Sequence, residues 1–221
     1  MKEIYFDKKM KKLIKTSANL ITLFRILLVF VMLPFLFVTK KVLTHTHPDL
    51  FKIPFILIFI LASITDFLDG YIAKKFKQQT IFGKFFDPIA DKLLVIVSFF
   101  YIYILSTKHA LLLEKNDNKG IEFLLLSVLL INIIRDFLVM GVRLVAFEQK
   151  TIITASFLGK LKTIFTFISI FLMLISKEIE SKLDIKMIFF NKIFLIINIF
   201  LIIWSGFFYI IKNFKFIKNN F

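Results

Sequence analysis

Six long apolar blocks, at residues 20–38, 51–73, 88–105, 121–147, 157–175 and 187–211, dominate this chain and leave it few ways to fold. A hydrocarbon core takes about 20 apolar residues of helix to cross, and every backbone amide inside it must be bonded within the protein. Each block meets or nearly meets that length. Glycine and proline number only 6 and 4, so the blocks predict long helices rather than the alternating short strands of a membrane barrel. At 58% hydrophobic, the chain carries more apolar side chain than a water-soluble domain can bury. The expected fold is all-α: an integral membrane bundle of six transmembrane helices, forming a single domain over residues 1–221.

The formal charge of +15 would suit nucleic acid, but the lysines lie in short segments between apolar blocks and form no continuous patch. They point to an anionic membrane surface and to no nucleic acid. Residues 1–18 intersperse Ile4, Tyr5, Leu13 and Ile14 with Lys2, Lys8, Lys9, Lys11, Lys12 and Lys15. That pattern suits an amphipathic helix lying in the interface; a solvated tail is the other reading. The first block follows basic residues, as in a signal peptide, but it is long, lacks a small-residue cleavage site and is read as retained. With six spans both termini share one side. The amino-terminal lysines, Lys74, Lys75, Lys77, Lys84, Lys92, Arg143, Lys150, Lys160, Lys162, Lys212, Lys215 and Lys218 fall there. This set is about twice the opposite one, which predicts cytoplasmic termini in a multi-pass protein. Cysteine is absent, so disulfides and thiolate metal sites are excluded.

Carboxylates at membrane depth cost a few kcal/mol each and are functional candidates by default. Four occur close together: Asp66 and Asp69 near the end of the second block, Asp87 and Asp91 at the start of the third. Spacings of three and four put each pair on one helical face. Pro88 prefers a first helical turn, so Asp87 reads as either a mid-helix residue or a cap. Gly70, Ala73 and Gly83 keep the surroundings small enough for a bulky anion to approach. Four acids brought together repel unless cations compensate them, and hard oxygen ligands suit two divalent cations, Mg²⁺ or Mn²⁺. Such a centre binds a diphosphate, polarises phosphorus and leaves a carboxylate to take a proton from an attacking hydroxyl. The competing explanation is interfacial pairing of these acids with Lys74, Lys75, Lys84 and Lys92.

The run Asp66-x2-Asp69-Gly70-x2-Ala73-Lys74-x8-Gly83-x3-Asp87-x3-Asp91 resembles the signature of the CDP-alcohol phosphatidyltransferases. Lys74 stands where that pattern has arginine, which a lysine cannot match in planar bidentate contacts. The resemblance implies a six-helix bacterial inner-membrane enzyme, usually a homodimer, with its active site on the cytoplasmic side. It implies Asp66, Asp69 and Asp87 as metal ligands, with Asp91 as the catalytic base and a further ligand. Gly70, Ala73 and Gly83 would line the nucleotide site, with Lys74 beside them. The acceptor hydroxyl would attack the phosphorus next to the diacylglycerol of CDP-diacylglycerol, and CMP would leave.

Flanking segments are similar to the bacterial branch of the family that uses glycerol 3-phosphate. These are Asn19-Leu20-Ile21-Thr22-Leu23-Phe24-Arg25, with Ala18 where a proline is frequent, then Ile134-Arg135-Asp136 with Arg143, and Leu158-Gly159-Lys160-Leu161-Lys162-Thr163. Asn19, Thr22 and Arg25 are candidates for the nucleotide or its phosphates; Asn19 reads equally as a helix cap and Arg25 as a side chain snorkelling to the interface. Apart from any resemblance, Arg135 lies inside an apolar block, and an arginine there wants an anion. Arg135, Arg143, Lys160 and Lys162 are expected to bind the phosphate of sn-glycerol 3-phosphate. Alternatively Arg135 pairs with Asp136 or Asp66, while the other three reach lipid headgroups. Serine or an inositol phosphate as acceptor, and a cation or proton transporter, are the competing functions; acids gathered at one membrane face rather than the midplane count against transport. His45 and His47 fall in a polar loop with no third ligand nearby.

Overall fold

All six apolar blocks are helical in the computed structural model, and most helices outrun the apolar stretch that announces them. The structure describes residues 20–37, 51–75, 81–113, 119–148, 156–183 and 186–218, with the side chains of 67–75, 81–85, 108–113, 119, 144, 147–148 and 214–218 outside the described set. The helices are α1 (Leu20–Phe37), α2 (Lys52–Lys75), α3 (Ile81–Leu113), α4 (Lys119–Glu148), α5 (Phe157–Leu183) and α6 (Met187–Lys218). Among the described residues, α1, α3, α4, α5 and α6 are each long and apolar enough to cross a membrane. The described side chains of α2 end at Asp66, short of a full crossing. No strand occurs among the described residues, and the chain is an all-helical integral membrane protein. The expected interfacial segment 1–18, Asn19 and the histidine pair lie outside the described residues.

Two helix ends differ from expectation for physical reasons. α3 begins seven residues before Pro88, which therefore sits inside the helix. A proline here removes one amide hydrogen bond, to the carbonyl four residues back, and the helix runs on through it. Asp87 is thus a helical residue one turn before Asp91, and not a cap. α5 runs eight residues past Ile175, through Lys177, Glu178, Glu180 and Lys182. Those side chains are polar but good helix formers, so the helix continues where its lipid-facing stretch stops. Glu180 Oε1 then accepts a 2.7 Å hydrogen bond from the Met187 amide, satisfying one orphan donor at the start of α6.

The chain forms two compact units, Met1–Ile104 and Leu105–Phe221. In the first, Phe55 of α2 stacks on Tyr101 of α3 at 3.7 Å between ring centroids and meets Phe35 of α1 edge-on. Met32, Phe55, Ala62, Leu94 and Tyr101 are fully buried there. In the second, α6 packs against both α4 and α5, burying Leu125, Val128, Ile170, Leu174, Leu195 and Ile202. Lipid tails are as apolar as these side chains, so close packing and interhelical hydrogen bonds must hold the helices together. Thr166 Oγ1 and Asn198 Oδ1 supply one such bond at 3.0 Å, a contact worth about 0.6 kcal/mol on average in membranes. Other buried hydroxyls, including those of Ser98 and Ser169, bond to the carbonyl one turn back in their own helix.

Candidate active site

In the first unit, each helix turns one polar-ended face inward. On α1, Thr22, Arg25, Val29 and Met32, spaced by three and four residues, are buried together with Leu28, while Leu23, Phe24, Leu27 and Phe30 are exposed. On α2, Phe55, Phe59 and Ala62 are buried in the same rhythm, and Asp66 continues the face. On α3, Asp87, Asp91 and Leu94 do likewise. The three faces bring acids and one base together. Arg25 Nη1 lies 2.8 Å from Asp66 Oδ1 and 2.9 Å from Asp91 Oδ1. Thr22 Oγ1 donates a 2.7 Å hydrogen bond to Asp87 Oδ1.

Arg25 is completely buried, which rules out the snorkelling reading; its partners are the acids of α2 and α3, which it holds together, a role neither sequence reading gave it. The reason is energetic, since a guanidinium at this depth is tolerated only when charge-paired and hydrogen-bonded. Asp66 and Asp87 both lie within electrostatic reach of Asp91, so acids from two helices do converge. Carboxylate oxygens from different helices that already share one cationic centre are a donor set suited to a hard divalent ion. Among the described residues no three acidic, histidine or cysteine side chains form a metal-binding group by themselves. Asp69, Gly70, Ala73 and Lys74 lie on the α2 backbone and Gly83 on that of α3, with their surroundings outside the described set.

The second unit holds a different cluster. Arg135 Nη1 donates to Asp136 Oδ1 at 2.8 Å, and Lys162 Nζ of α5 approaches the same oxygen at 3.2 Å. Of the two partners that the sequence left open for Arg135, Asp136 is therefore one that it uses. Lys162 is buried, whereas Lys160, two residues and so about 200° away around the helix, is exposed. Arg135 Nε is buried with no hydrogen-bond partner among the described residues. Arg143 is exposed, donates from Nε to Tyr209 Oη at 3.3 Å, and stands 5.8 Å over the Tyr209 ring.

Sequence reasoning missed three residues of this second cluster. Tyr209 of α6 carries Arg143; Gly206 of α6 and Gly159 of α5 flank Arg135. A Cβ at Gly206 would lie 3.0 Å from Arg135 Cγ, and one at Gly159 would lie 3.2 Å from Arg135 Nη2. The available signal was the small pair Ser205-Gly206 in an otherwise bulky α6, with a polar aromatic three residues on.

Comparison with known proteins gives the chain a family. The chain matches the CDP-alcohol phosphatidyltransferase family over residues 15–204. It is 37% identical over 153 residues to a CDP-diacylglycerol--glycerol-3-phosphate 3-phosphatidyltransferase of Rickettsia typhi, covering 69% of this chain and 76% of that one. A protein of the same name from Bacillus subtilis is 31% identical over 166 residues, covering 74% and 75% of the two chains. One from Mycoplasma genitalium is 36% identical over 113 residues, covering 51% of this chain and 41% of its own. By the extent of the family match and the identity to these relatives, the chain belongs to the CDP-alcohol phosphatidyltransferase family.

Proposed function

We propose that this protein transfers the phosphatidyl group of CDP-diacylglycerol to sn-glycerol 3-phosphate, giving phosphatidylglycerol phosphate and CMP. The observation that carries this reading is the convergence of Asp66 and Asp91, from separate helices, on one fully buried cationic centre. The names of the relatives support the same donor and acceptor. Because the family match runs through both compact units, it supports one functional domain rather than two.

In this scheme Asp66, Asp69, Asp87 and Asp91 hold two divalent cations, Mg²⁺ or Mn²⁺. Bound there, the ions would offset the acids' mutual repulsion and polarise the diphosphate. Arg25 keeps Asp66 and Asp91 facing each other, and Thr22 orients Asp87. Asp91 takes the proton of the acceptor hydroxyl as its oxygen bonds to the lipid-side phosphorus, and the bond from that phosphorus to CMP breaks. As the family resemblance implies, Gly70, Ala73 and Gly83 would line the nucleotide site, with Lys74, Asn19 and Thr22 as further nucleotide-binding residues.

Arg135, Lys162, Arg143 and Lys160 hold the acceptor's phosphate. Arg135 and Lys162 both approach Asp136, and the Arg135 Nε–H is buried without an acceptor among the described residues; a phosphate monoester would offer it one and would suit both cations. Serine is a zwitterion with no net charge, and would bring with its carboxylate an ammonium group that these cations repel. Lysine and arginine distribution supports cytoplasmic termini and a cytoplasmic active site in a bacterial membrane. The family resemblance supports a homodimer.

The decisive experiment supplies purified protein with CDP-diacylglycerol, Mg²⁺ or Mn²⁺, and a panel of acceptors. Phosphatidylglycerol phosphate and CMP should form with glycerol 3-phosphate and stop on chelation. A product with serine or inositol phosphate alone would overturn the acceptor assignment. Cysteines introduced singly into this cysteine-free chain should report the termini as cytoplasmic by their labelling.

A further inference from the structure

We infer that one face of α6, formed by Gly206 and Tyr209, is a positioning element that sets both arginines of α4 for the acceptor's phosphate. The inference rests on the phosphate-binding reading of Arg135 and Arg143 and goes beyond it, since both α6 residues lie past residue 204, where the family match ends.

The two residues are three apart and share a helical face, and both are buried. They act in complementary ways. At Gly206 the missing side chain matters: Arg135 Cγ occupies space that a methyl group would enter at 3.0 Å, so the stem of Arg135 lies against bare α6 backbone. Glycine in a membrane helix commonly marks close packing, and the group packed against it here is the Arg135 stem. Gly141 of α4 is a useful contrast, because a methyl group there would meet nothing within 4 Å. At Tyr209 the side chain itself acts. Its oxygen accepts from Arg143 Nε, and its ring faces the same guanidinium. A phenol that accepts one hydrogen bond still has its own proton to donate, and a phosphate oxygen is a suitable taker.

Arg135 and Arg143 lie about 12 Å apart along α4, a separation that two long flexible side chains can close in many ways. Packing Arg135 against Gly206 and clamping Arg143 on Tyr209 removes most of that freedom before the acceptor arrives, which lowers the entropic cost of binding. The Tyr209 contribution is a hydrogen bond to a charged donor plus ring contact, and the Gly206 contribution is a register of a few tenths of an ångström. Both should appear in acceptor affinity, and neither in donor affinity.

The test uses the full-length protein in detergent with Gly206→Ala, Tyr209→Phe, Gly141→Ala and Arg135→Ala, measuring kcat, KM for each substrate and the melting temperature. Gly206→Ala should raise the KM for glycerol 3-phosphate roughly fivefold to tenfold, a modest share of the ~100-fold that a 1 Å misplacement can cost. Tyr209→Phe, which keeps the ring and loses the hydroxyl, should raise it about threefold. In both variants the KM for CDP-diacylglycerol should stay within about twofold, and Gly206→Ala should melt no lower than the parent because alanine favours helix. Gly141→Ala should leave every value unchanged. If Gly206→Ala does not fold, Tyr209→Phe decides alone. Equal rises in both KM values, or an unchanged acceptor KM in both α6 variants while Arg135→Ala raises it, would overturn the inference. An unchanged acceptor KM in Arg135→Ala would instead remove the phosphate pocket on which it stands.

Discussion

The polar clusters of the two units use the same side-chain types in opposite proportion. Among the described residues, the acids Asp66, Asp87 and Asp91 gather around Arg25, whereas the bases Arg135 and Lys162 gather around Asp136. In water such groupings of like charge would be screened, but inside a membrane protein each must be met by a counter-charge. A surplus of acid calls for cations and a surplus of base for an anion. On the proposed function, the first cluster would serve the metal-held donor and the second the phosphorylated acceptor.

This division can be broken most sharply at Asp91. Asp91→Asn should cut CMP release roughly 10²- to 10⁴-fold while CDP-diacylglycerol still binds. Near-normal turnover in that variant would remove the base from the first cluster. Next in size is Arg25→Ala, which leaves two facing acids without their shared cation. A broken buried ion pair costs about 3–5 kcal/mol, and thermal unfolding should show a loss of that order, partly restored when Asp66→Asn is added. Stability equal to the parent would mean that Arg25 does not hold the acids together. Arg135→Ala should raise the KM for glycerol 3-phosphate about tenfold to a hundredfold, with little change for the lipid donor. A change confined to the donor would exchange the roles of the clusters. The smallest effect is expected at Thr22→Val, where one hydrogen bond to Asp87 is lost. A fall in turnover of about fivefold is the expected outcome, and a divalent-ion titration should show weaker apparent affinity.

The helices were legible because membrane crossing sets a length that apolar runs either reach or miss, and these reach it. The acids were legible because spacings of three and four have only one helical meaning. Arg25 was not, since an arginine near the start of a span looks the same whether its guanidinium reaches out to headgroups or in to carboxylates. Only the partner's position decides, and Asp66 lies in another helix. The start of α3 was obscured by Pro88, whose preference for a first turn is weaker than the pull of a continuous helix. Gly206 and Tyr209 were invisible for a different reason. Glycine is common in membrane helices and tyrosine common near their ends, so neither stands out until Arg135 and Arg143 are seen against them.

The hydrogen bond from the Met187 amide to Glu180 joins groups only seven positions apart in sequence, so it can close as soon as α5 and α6 have both emerged during synthesis. The pair is thereby a self-latching hairpin whose rotational phase is fixed early. One residue inserted within α6, between Leu195 and Gly206, would turn the rest of the helix by about 100° and carry Gly206 and Tyr209 off the face that meets α4. The bond that ties the start of α6 to the end of α5 thus belongs to the same hairpin that carries Gly206 and Tyr209 to α4.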